Sequence, residues 1–278
     1  MKTVDLHVHT NASDGSCSPE EVIDQAVDAG LSAVAITDHD NERSCAAAAV
    51  YGKEKGIEVV PGIEISTKYG VSVHILGFFC DFNSPAIAAG LDWIVKDREE
   101  RNRKVCDMLR ADGIPVYYEE MEQRFGAVLG RPHFAQILME LGYVSSIAEG
   151  FKQYVGKGCK YFVNRHFFTI EQSVEMIASS GGKPVLAHPF QYKKNDEELR
   201  ELIELCIDHG LQGMECRYSG YTKEQSDYLE ALAKEYRLCR TGGSDFHGTR
   251  KPHISLGRGT GDLCVPYEFL EELKTHER

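Results

Sequence analysis

Nine side chains of the kinds that bind transition metals stand out in this sequence, and together they indicate a site with more than one metal ion. A divalent ion takes about four to six protein and water ligands, so nine ligands exceed what one ion needs. Three ions with about three protein ligands each would leave positions open for water and substrate. The candidates are His7, His9, Asp14, His39, Glu64, His74, His188, Asp245 and His247.

The mixture of imidazoles and carboxylates also indicates which metals and which chemistry to expect. It suits Mn²⁺, Zn²⁺ or Fe²⁺, whereas Ca²⁺ or Mg²⁺ alone would favour a shell of oxygen atoms. Ions about 3.5–4 Å apart can bridge a hydroxide and hold the attacking and leaving oxygens of a phosphoester. Glu64 is the candidate bridging carboxylate, because its two oxygens can be shared. The sequence has no G-x-S-x-G elbow and no Walker A loop, which leaves a serine hydrolase or an ATPase with little support.

The first predicted strand holds two of the candidates side by side. Apolar and polar residues alternate from Val4 to His9. Because successive side chains of a strand point to opposite faces, His7 and His9 project from the same face. Two imidazoles on a rigid strand suit a metal ion better than a hydrophobic core.

The elements that must position the candidates alternate between strands and helices, which is typical of a parallel α/β barrel or sheet. Capping boxes predict helix starts after Ser18 and Thr169. Several candidates lie at or just beyond strand ends, which face the active site in barrels of this kind. Glu215 also ends a strand, but the ligand set is already complete, so a supporting or packing role is expected. Strands are predicted over 31–37, 57–65 with a break at Pro61-Gly62, 71–79, 184–187, 211–215 and 238–242.

The alternation of strands and helices is interrupted in the middle of the chain. Residues from about 87 to 112 form one long helical pattern, and short helical segments follow up to 166. We therefore expect a barrel built from 1–97 and 167–278, with 98–166 as a helical insertion over the active site. The run from Lys96 to Lys104 mixes charge signs at helical spacing and is expected to face solvent.

The composition predicts a globular cytoplasmic protein. Of its 278 residues, 42% are hydrophobic, and no apolar run reaches the length of about 18 that a membrane span needs. Its nine cysteines are scattered, which favours free thiols in a reducing compartment, and no signal peptide precedes the first strand. The net charge of −12 argues against a broad surface for duplex nucleic acid. No obligatory protein partner is evident.

Six motifs in this order resemble those of the PHP (polymerase and histidinol phosphatase) family. They read DLHVHTNASDG, ITDHD, PGIEIS, H-x-L-G-F, AHP and GGSDFHG, and they extend over nearly the whole chain. The resemblance implies a distorted (β/α)₇ TIM-like barrel, two or three divalent ions with Mn²⁺ favoured, and phosphoesterase activity. It also implies three ligand sets, which share Glu64: His7, His9, Glu64 and Asp245; Glu64, His74 and His188; and Asp14, His39 and His247.

The length and the insertion are most similar to one branch of this family. That branch contains 3′,5′-nucleotide bisphosphate phosphatases and 5′-to-3′ exoribonucleases of the RNase AM type. Arg131-Pro132-His133 matches its R-P-H element, which implies catalytic and substrate-binding roles for Arg131 and His133. Arg131 offers a planar fork for phosphate, and His133 could bind phosphate or protonate a leaving oxygen. Arg131 could instead form an ordinary salt bridge, and His133 could simply follow a proline that starts a helix. Ser219 is a further candidate for contact with a second phosphate or a base.

The expected activity is hydrolysis of the 3′-phosphate of small 3′,5′-bisphosphorylated nucleotides by a metal-bridged hydroxide. Stepwise trimming of short 5′-phosphorylated RNA is a further expectation. An L-histidinol-phosphate phosphatase of the same family is the nearest alternative, although no site for an imidazole and an ammonium group can be identified. A DNA exonuclease would need a duplex-binding surface. A non-catalytic PHP barrel would be expected to have lost metal ligands.

Overall fold

The computed structural model describes residues 2–126 and 129–276, which fold into two compact units. One unit comprises 1–90 with 167–278, and the other comprises 91–166. The strands are Thr3–Asp5 (β1), Ala33–Ile36 (β2), Glu58–Tyr69 (β3), Val71–Phe78 (β4), Lys183–Leu186 (β5), Gly213–Tyr218 (β6), Cys239–Gly243 (β7) and Val265–Pro266 (β8). The α-helices are Pro19–Asp28 (α1), Arg43–Lys55 (α2), Pro85–Ala111 (α3), Tyr118–Phe125 (α4), Arg131–Glu140 (α5), Ile147–Gly150 (α6), Ile170–Ser179 (α7), Asp196–Asp208 (α8), Lys223–Glu235 (α9) and Tyr267–Thr275 (α10).

All eight strands belong to one sheet that curves into a nearly closed barrel, with the order β7-β6-β5-β4-β3-β2-β1-β8. Strands β1 to β3 are parallel, as are β5 to β7, whereas β4 is antiparallel to both of its neighbours. The chain after β1 closes the barrel against β7: the Leu6 amide donates to the Gly242 carbonyl at 3.1 Å, and Val8 bridges Phe246. The predicted TIM-like α/β barrel is confirmed.

Successive side chains of a strand point alternately into the interior of the barrel and into the layer under the helices. Ala33 and Ala35 of β2 belong to one apolar cluster, and Val34 and Ile36 belong to a second cluster with the apolar side of α1. A strand that is buried on both faces reads as a continuous apolar run, as this one does. The first cluster also contains Phe269 and two leucines of α10, a helix that the sequence analysis did not predict.

The predicted break of the third strand at Pro61-Gly62 is wrong, because β3 runs continuously through both residues. It pairs with β2 as far as Pro61 and with β4 from Gly62 onward. Proline has no backbone N–H, so it is tolerated where pairing with one neighbour ends and pairing with the next begins. The capping boxes at Ser18 and Thr169 are both present, which confirms those helix starts.

The helical unit, 91–166, has an apolar core of its own. Val105 and Leu109 of α3 pack there with Phe134 and Leu138 of α5. The expectation that the run from Lys96 to Lys104 faces solvent is wrong for part of the run. Two of its arginines are buried on the inner side of α3, with exposed fractions of 8% for Arg98 and 6% for Arg101. The predicted position of the insertion over the active site stays a prediction.

Across residues 2–126 and 129–276, the structure contains no helix whose length and hydropathy would allow it to cross a membrane.

Gly243, the last residue of β7, fixes how closely β7 approaches the segment with His7. A Cβ at Gly243 would lie 2.4 Å from both the Cβ and the amide nitrogen of His7, and 2.9 Å from Asp5 Oδ1. We expect Gly243→Ala to lower the free energy of unfolding by about 3 kcal/mol, because backbone must move to relieve the overlap. Urea denaturation monitored by circular dichroism measures this loss.

Gly70→Ala is the matched control, because a Cβ at Gly70 would meet nothing within 4 Å and only its φ of +70° is unfavourable. We expect a loss of about 1 kcal/mol there. Equal losses at the two glycines would contradict the claim that β7 is held against His7 without space for a side chain.

Candidate metal centre

The nine candidate ligands converge at one end of the barrel. His39 and His188 lie just beyond the ends of β2 and β5, and Asp245 and His247 lie just beyond the end of β7. His74 lies near the start of β4, but β4 is antiparallel, so its start lies at the same end of the barrel as the end of β3. The predicted first strand is shorter than expected. It ends at Asp5, and His7 and His9 lie in the segment that follows, with ring centroids 5.2 Å apart.

The ligand atoms of these side chains form four overlapping groups, within each of which all ligand atoms lie within 4.8 Å of one another. Each group combines imidazoles with at least one carboxylate. The groups are His9, Asp14, His39 and His247; His7, His9 and Asp245; His7, Glu64 and His188; and His39, Glu64 and His74. All nine candidates therefore belong to one continuous cluster, while the assignment of particular ligands to particular ions stays a prediction.

Glu64 lies at the centre of the cluster, and its two carboxylate oxygens face different imidazoles. Oε1 lies 2.8 Å from His74 Nδ1 and 3.0 Å from His188 Nε2. Oε2 lies 3.1 Å from His39 Nδ1 and 3.2 Å from His9 Nε2. A carboxylate shared in this way is suited to bridge two cations, as the sequence analysis expected.

Asp245 also divides its oxygens between two environments. Oδ1 lies 3.3 Å from both His9 Nε2 and His247 Nδ1. Oδ2 accepts hydrogen bonds from Lys251 Nζ and from the Tyr218 hydroxyl, each at 2.6 Å. Sequence reasoning missed both donors. The Lys251 and Tyr218 contacts therefore fix the carboxylate with Oδ1 directed toward the imidazoles.

Glu215 supports two of the candidate ligands. One carboxylate oxygen lies 3.1 Å from His7 Nδ1, and the other accepts the backbone N–H of His188 at 2.7 Å. Such partners orient metal-binding imidazoles and raise their basicity. Asp5 does not contact an imidazole. It accepts the amides of Ser244 and Gly257 at 2.8 and 2.7 Å, and thereby ties the segment after β7 to the first strand.

The electrostatics of the cluster fit bound cations. Burial opposes ionisation of Glu64 and Asp245, but the surrounding imidazoles hold the pKa of each carboxyl well below its usual range. Burial disfavours a charged His9, yet the carboxylates of Asp245 and Glu64 raise its pKa to about 9. Burial lowers the pKa of His39 to about 3, so its imidazole is neutral and able to act as a ligand.

Several polar atoms of the candidate ligands are buried without a hydrogen-bond partner among the residues that the structure describes: His7 Nε2, both ring nitrogens of His9, Asp14 Oδ1, His39 Nδ1 and His188 Nδ1. Buried polar atoms are rarely left unsatisfied. Ionised carboxylates and unsatisfied imidazole nitrogens converging on one space are the donor set that divalent transition metals bind. The residues present therefore fit the metals that the sequence predicts.

Two of the candidate ligands have strained backbones. His188 has φ of 27° and Asp245 has φ of 56°, both in the left-handed region that residues with a Cβ rarely adopt. Such conformations cost about 1–3 kcal/mol each and persist where surrounding contacts impose them. Here the contacts of Glu215 with the His188 amide and of Lys251 with the Asp245 carboxylate do so.

The predicted substrate residues lie in both units. In the helical unit, Arg131 is the first residue of α5 and its guanidinium lies 5.4 Å from the ring centroid of Phe162. The described residues include no carboxylate that forms a salt bridge with Arg131, so the alternative that Arg131 only forms a salt bridge finds no support. His133 is buried, and its Nδ1 accepts the Gly130 amide at 2.9 Å. In the barrel, Ser219 donates to the Ser244 carbonyl at 2.5 Å. Substrate contact by these three residues stays a prediction.

Comparison with known proteins agrees with this site. A family model described as the PHP domain matches residues 5–248. A 5′-3′ exoribonuclease from Haemophilus influenzae is 36% identical over 247 residues, which cover 88% of this chain and 90% of that protein. A 3′,5′-nucleoside bisphosphate phosphatase from Chromobacterium violaceum is 33% identical over 272 residues, which cover 96% of this chain and 95% of that protein.

Among solved structures, a putative metal-dependent phosphoesterase from Bifidobacterium adolescentis superimposes with a TM-score of 0.83 at 28% identity. The alignment covers 98% of this chain and 95% of that chain. The similarity therefore extends over both compact units.

We expect Glu215→Gln to weaken metal binding about 10- to 100-fold while the fold is retained, because the neutral amide no longer raises the basicity of His7. Titration of metal-free protein with Mn²⁺, followed by calorimetry, measures the affinity.

Glu230→Gln serves as the control. Glu230 contacts Arg217 and Arg240 rather than an imidazole, and its replacement should leave the Mn²⁺ affinity unchanged. Wild-type affinity in the Glu215 variant would show that this carboxylate does not support the centre.

Proposed function

The chain belongs to the PHP family of metal-dependent phosphoester hydrolases, and from this premise we propose that it removes the 3′-phosphate of 3′,5′-bisphosphorylated nucleotides. The observation that carries the substrate assignment is Arg131, a half-buried guanidinium without a carboxylate partner among the described residues. A guanidinium that packs against aromatic rings and forms no ion pair with a carboxylate can bind a phosphate group. The Chromobacterium relative, named a 3′,5′-nucleoside bisphosphate phosphatase, supports the same class of substrate.

We propose that the nine clustered side chains hold two or three divalent ions, of which Mn²⁺ suits the mixed imidazole and carboxylate set best. When bound, such ions polarise a phosphoester and supply a water-derived nucleophile near neutral pH. Glu64 would be shared between two of these ions, because each of its oxygens faces different imidazoles. Lys251 and Tyr218 keep Asp245 in place, and Glu215 keeps His7 in place.

Other side chains would orient the substrate and transfer protons. Arg131 would hold a phosphate group through its planar fork. His133 is buried at the start of α5, where its Nδ1 accepts the Gly130 amide, and its imidazole would bind phosphate or protonate a leaving oxygen. Ser219, whose hydroxyl contacts the Ser244 carbonyl, would act mainly by holding the loop that carries Asp245.

A second candidate activity is trimming of short 5′-phosphorylated RNA one nucleotide at a time. The Haemophilus relative, named a 5′-3′ exoribonuclease, favours it. Both activities would use one metal centre and one phosphate-binding arginine, and they differ in which ester bond is placed over the metals.

The nine cysteines are free in the structure, which agrees with activity in a reducing cytoplasm.

We expect Mn²⁺-loaded protein to release phosphate from adenosine 3′,5′-bisphosphate, and removal of metal with a chelator to abolish this release. A 5′-phosphorylated RNA pentamer tests the second candidate, and L-histidinol phosphate tests the nearest alternative. Chromatography of the products identifies which bond is cut. Turnover of histidinol phosphate alone would reject the nucleotide assignment.

We expect Arg131→Ala to lower kcat/KM on adenosine 3′,5′-bisphosphate by about 10- to 100-fold, because a charge-assisted contact with phosphate is lost. Metal content, measured by elemental analysis, should not change. Arg124→Ala is the matched control in the same unit, since Arg124 is exposed and pairs with Glu140. Parallel loss of activity and metal in the Arg131 variant would contradict its role in substrate binding.

A further inference from the structure

The hairpin of β3 and β4 extends past the metal centre at the same end of the barrel. β3 pairs with β2 only as far as Pro61, and β4 pairs with β5 only from Ile75 onward. Over residues 66–74, which we call the hairpin tip, the two strands pair with each other. The tip belongs to the same compact unit as the nine candidate ligands. It therefore projects beyond the neighbouring strands, and its last residue is the candidate ligand His74.

One face of the hairpin tip continues the face that carries the metal centre. Glu64, Ser66 and Lys68 lie on the same face of β3, because side chains alternate along a strand. Ser66 pairs with His74 and Lys68 pairs with Ser72, so both β4 residues share that face. The hydroxyl oxygen of Ser72 lies 3.3 Å from His74 Nε2, and His74 Nδ1 lies 2.8 Å from Glu64 Oε1. A continuous polar face therefore leads from the centre of the cluster to Lys68.

Lys68 places a positive charge at the outer end of this face. Its side chain is exposed, and no carboxylate within residues 2–126 and 129–276 forms an ion pair with it. Four residues of a strand span about 13 Å, which is the backbone separation between Glu64 and Lys68. At this separation, the ammonium group suits a phosphate of a chain that continues past the metal centre rather than the phosphate that is hydrolysed there.

A second lysine lies against the hairpin tip. Lys194 Nζ lies 4.9 Å from the ring centroid of Tyr69, close enough for a cation–π interaction that holds the ammonium group there. The segment before Lys194 is fixed by the hydroxyl of Tyr192, which accepts the His74 amide at 3.1 Å and donates to the Ala187 carbonyl at 2.5 Å. Lys194 is therefore positioned by contacts that also involve a candidate metal ligand.

Acidic side chains that follow Lys194 in the chain are bound elsewhere. Asp196 forms a salt bridge with Arg200 at 3.1 Å, and Glu198 accepts the Asn195 amide at 3.0 Å in the capping box of α8. Two positive charges thus remain at the tip of a protein whose net charge is −12. A local basic surface on an acidic protein favours an anionic partner at that place.

We propose that the hairpin tip, through Lys68 and Lys194, binds the backbone of single-stranded RNA on the 3′ side of the bond that is cut. This inference rests on the second candidate activity, the trimming of short 5′-phosphorylated RNA. Exposed ammonium groups bind the phosphates of a single strand without regard to its sequence. A mononucleotide bisphosphate has no chain that continues to the tip, so this surface would favour RNA without changing the hydrolysis of the smaller substrate.

The salt dependence of binding tests the surface directly. Fluorescence anisotropy measures the affinity of Mn²⁺-loaded protein for a 3′-fluorescein-labelled RNA pentamer with a 5′-hydroxyl, which lacks the 5′-phosphate of the expected substrate. Lys68→Gln should reduce the slope of log affinity against log salt concentration by about 0.7, because one phosphate contact is lost. Lys194→Gln should have a similar effect. Lys53→Gln is the matched control, since Lys53 is exposed in the last turn of α2, ahead of the start of β3 and at the opposite end of the barrel.

Kinetics give an independent readout. Lys68→Gln should lower kcat/KM on a 5′-phosphorylated RNA pentamer by about fivefold at low salt, because an exposed charge contact is lost. The same variant should leave kcat/KM on adenosine 3′,5′-bisphosphate unchanged. Wild-type salt slopes in both lysine variants, or an equal fall in kcat/KM on the two substrates, would overturn the proposed surface. A reduced slope in Lys68→Gln without any trimming of RNA by the wild-type protein would instead reject the trimming activity and leave the surface standing.

Discussion

A buried carboxylate, Glu64, imposes the constraint on which the rest of this structure depends. Its side chain is 1% exposed and stays ionised, so positive charge or metal must lie against it. Each of its oxygens is approached by imidazoles from other segments of the chain. The barrel makes this possible because its strands end at one place, and the antiparallel β4 adds His74 from its starting end. The strained backbones of His188 and Asp245 have the same origin, because both side chains must point toward this one cluster.

Much of the site could be predicted because its signals are local. His7-x-His9 and the polar residues after apolar runs can be identified without knowledge of tertiary contacts, and capping boxes such as that of Ser18 mark helix starts. The supporting contacts could not be predicted. Lys251 and Tyr218 meet on one oxygen of Asp245 although Tyr218 is distant in sequence, and no local pattern connects them. The continuity of β3 through Pro61 likewise depends on which strand lies beside each residue.

The helical unit shows how a charge pattern can mislead. Alternating signs along a helix usually mark a solvated face, and the exposed Arg103 with its two glutamate partners conforms to that rule. Arg98 and Arg101 do not, because they continue the spacing of the buried apolar residues of α3. Burial of a guanidinium costs free energy that an apolar side chain at the same position would not cost.

We infer that this one cluster holds two or three metal ions and that Glu64 is shared between two of them. Anomalous X-ray scattering at the manganese edge, from crystals of Mn²⁺-loaded protein, tests it most directly. We expect two or three anomalous peaks at this end of the barrel, with different oxygens of Glu64 directed at two of them. A single peak, or peaks that do not involve Glu64, would contradict it.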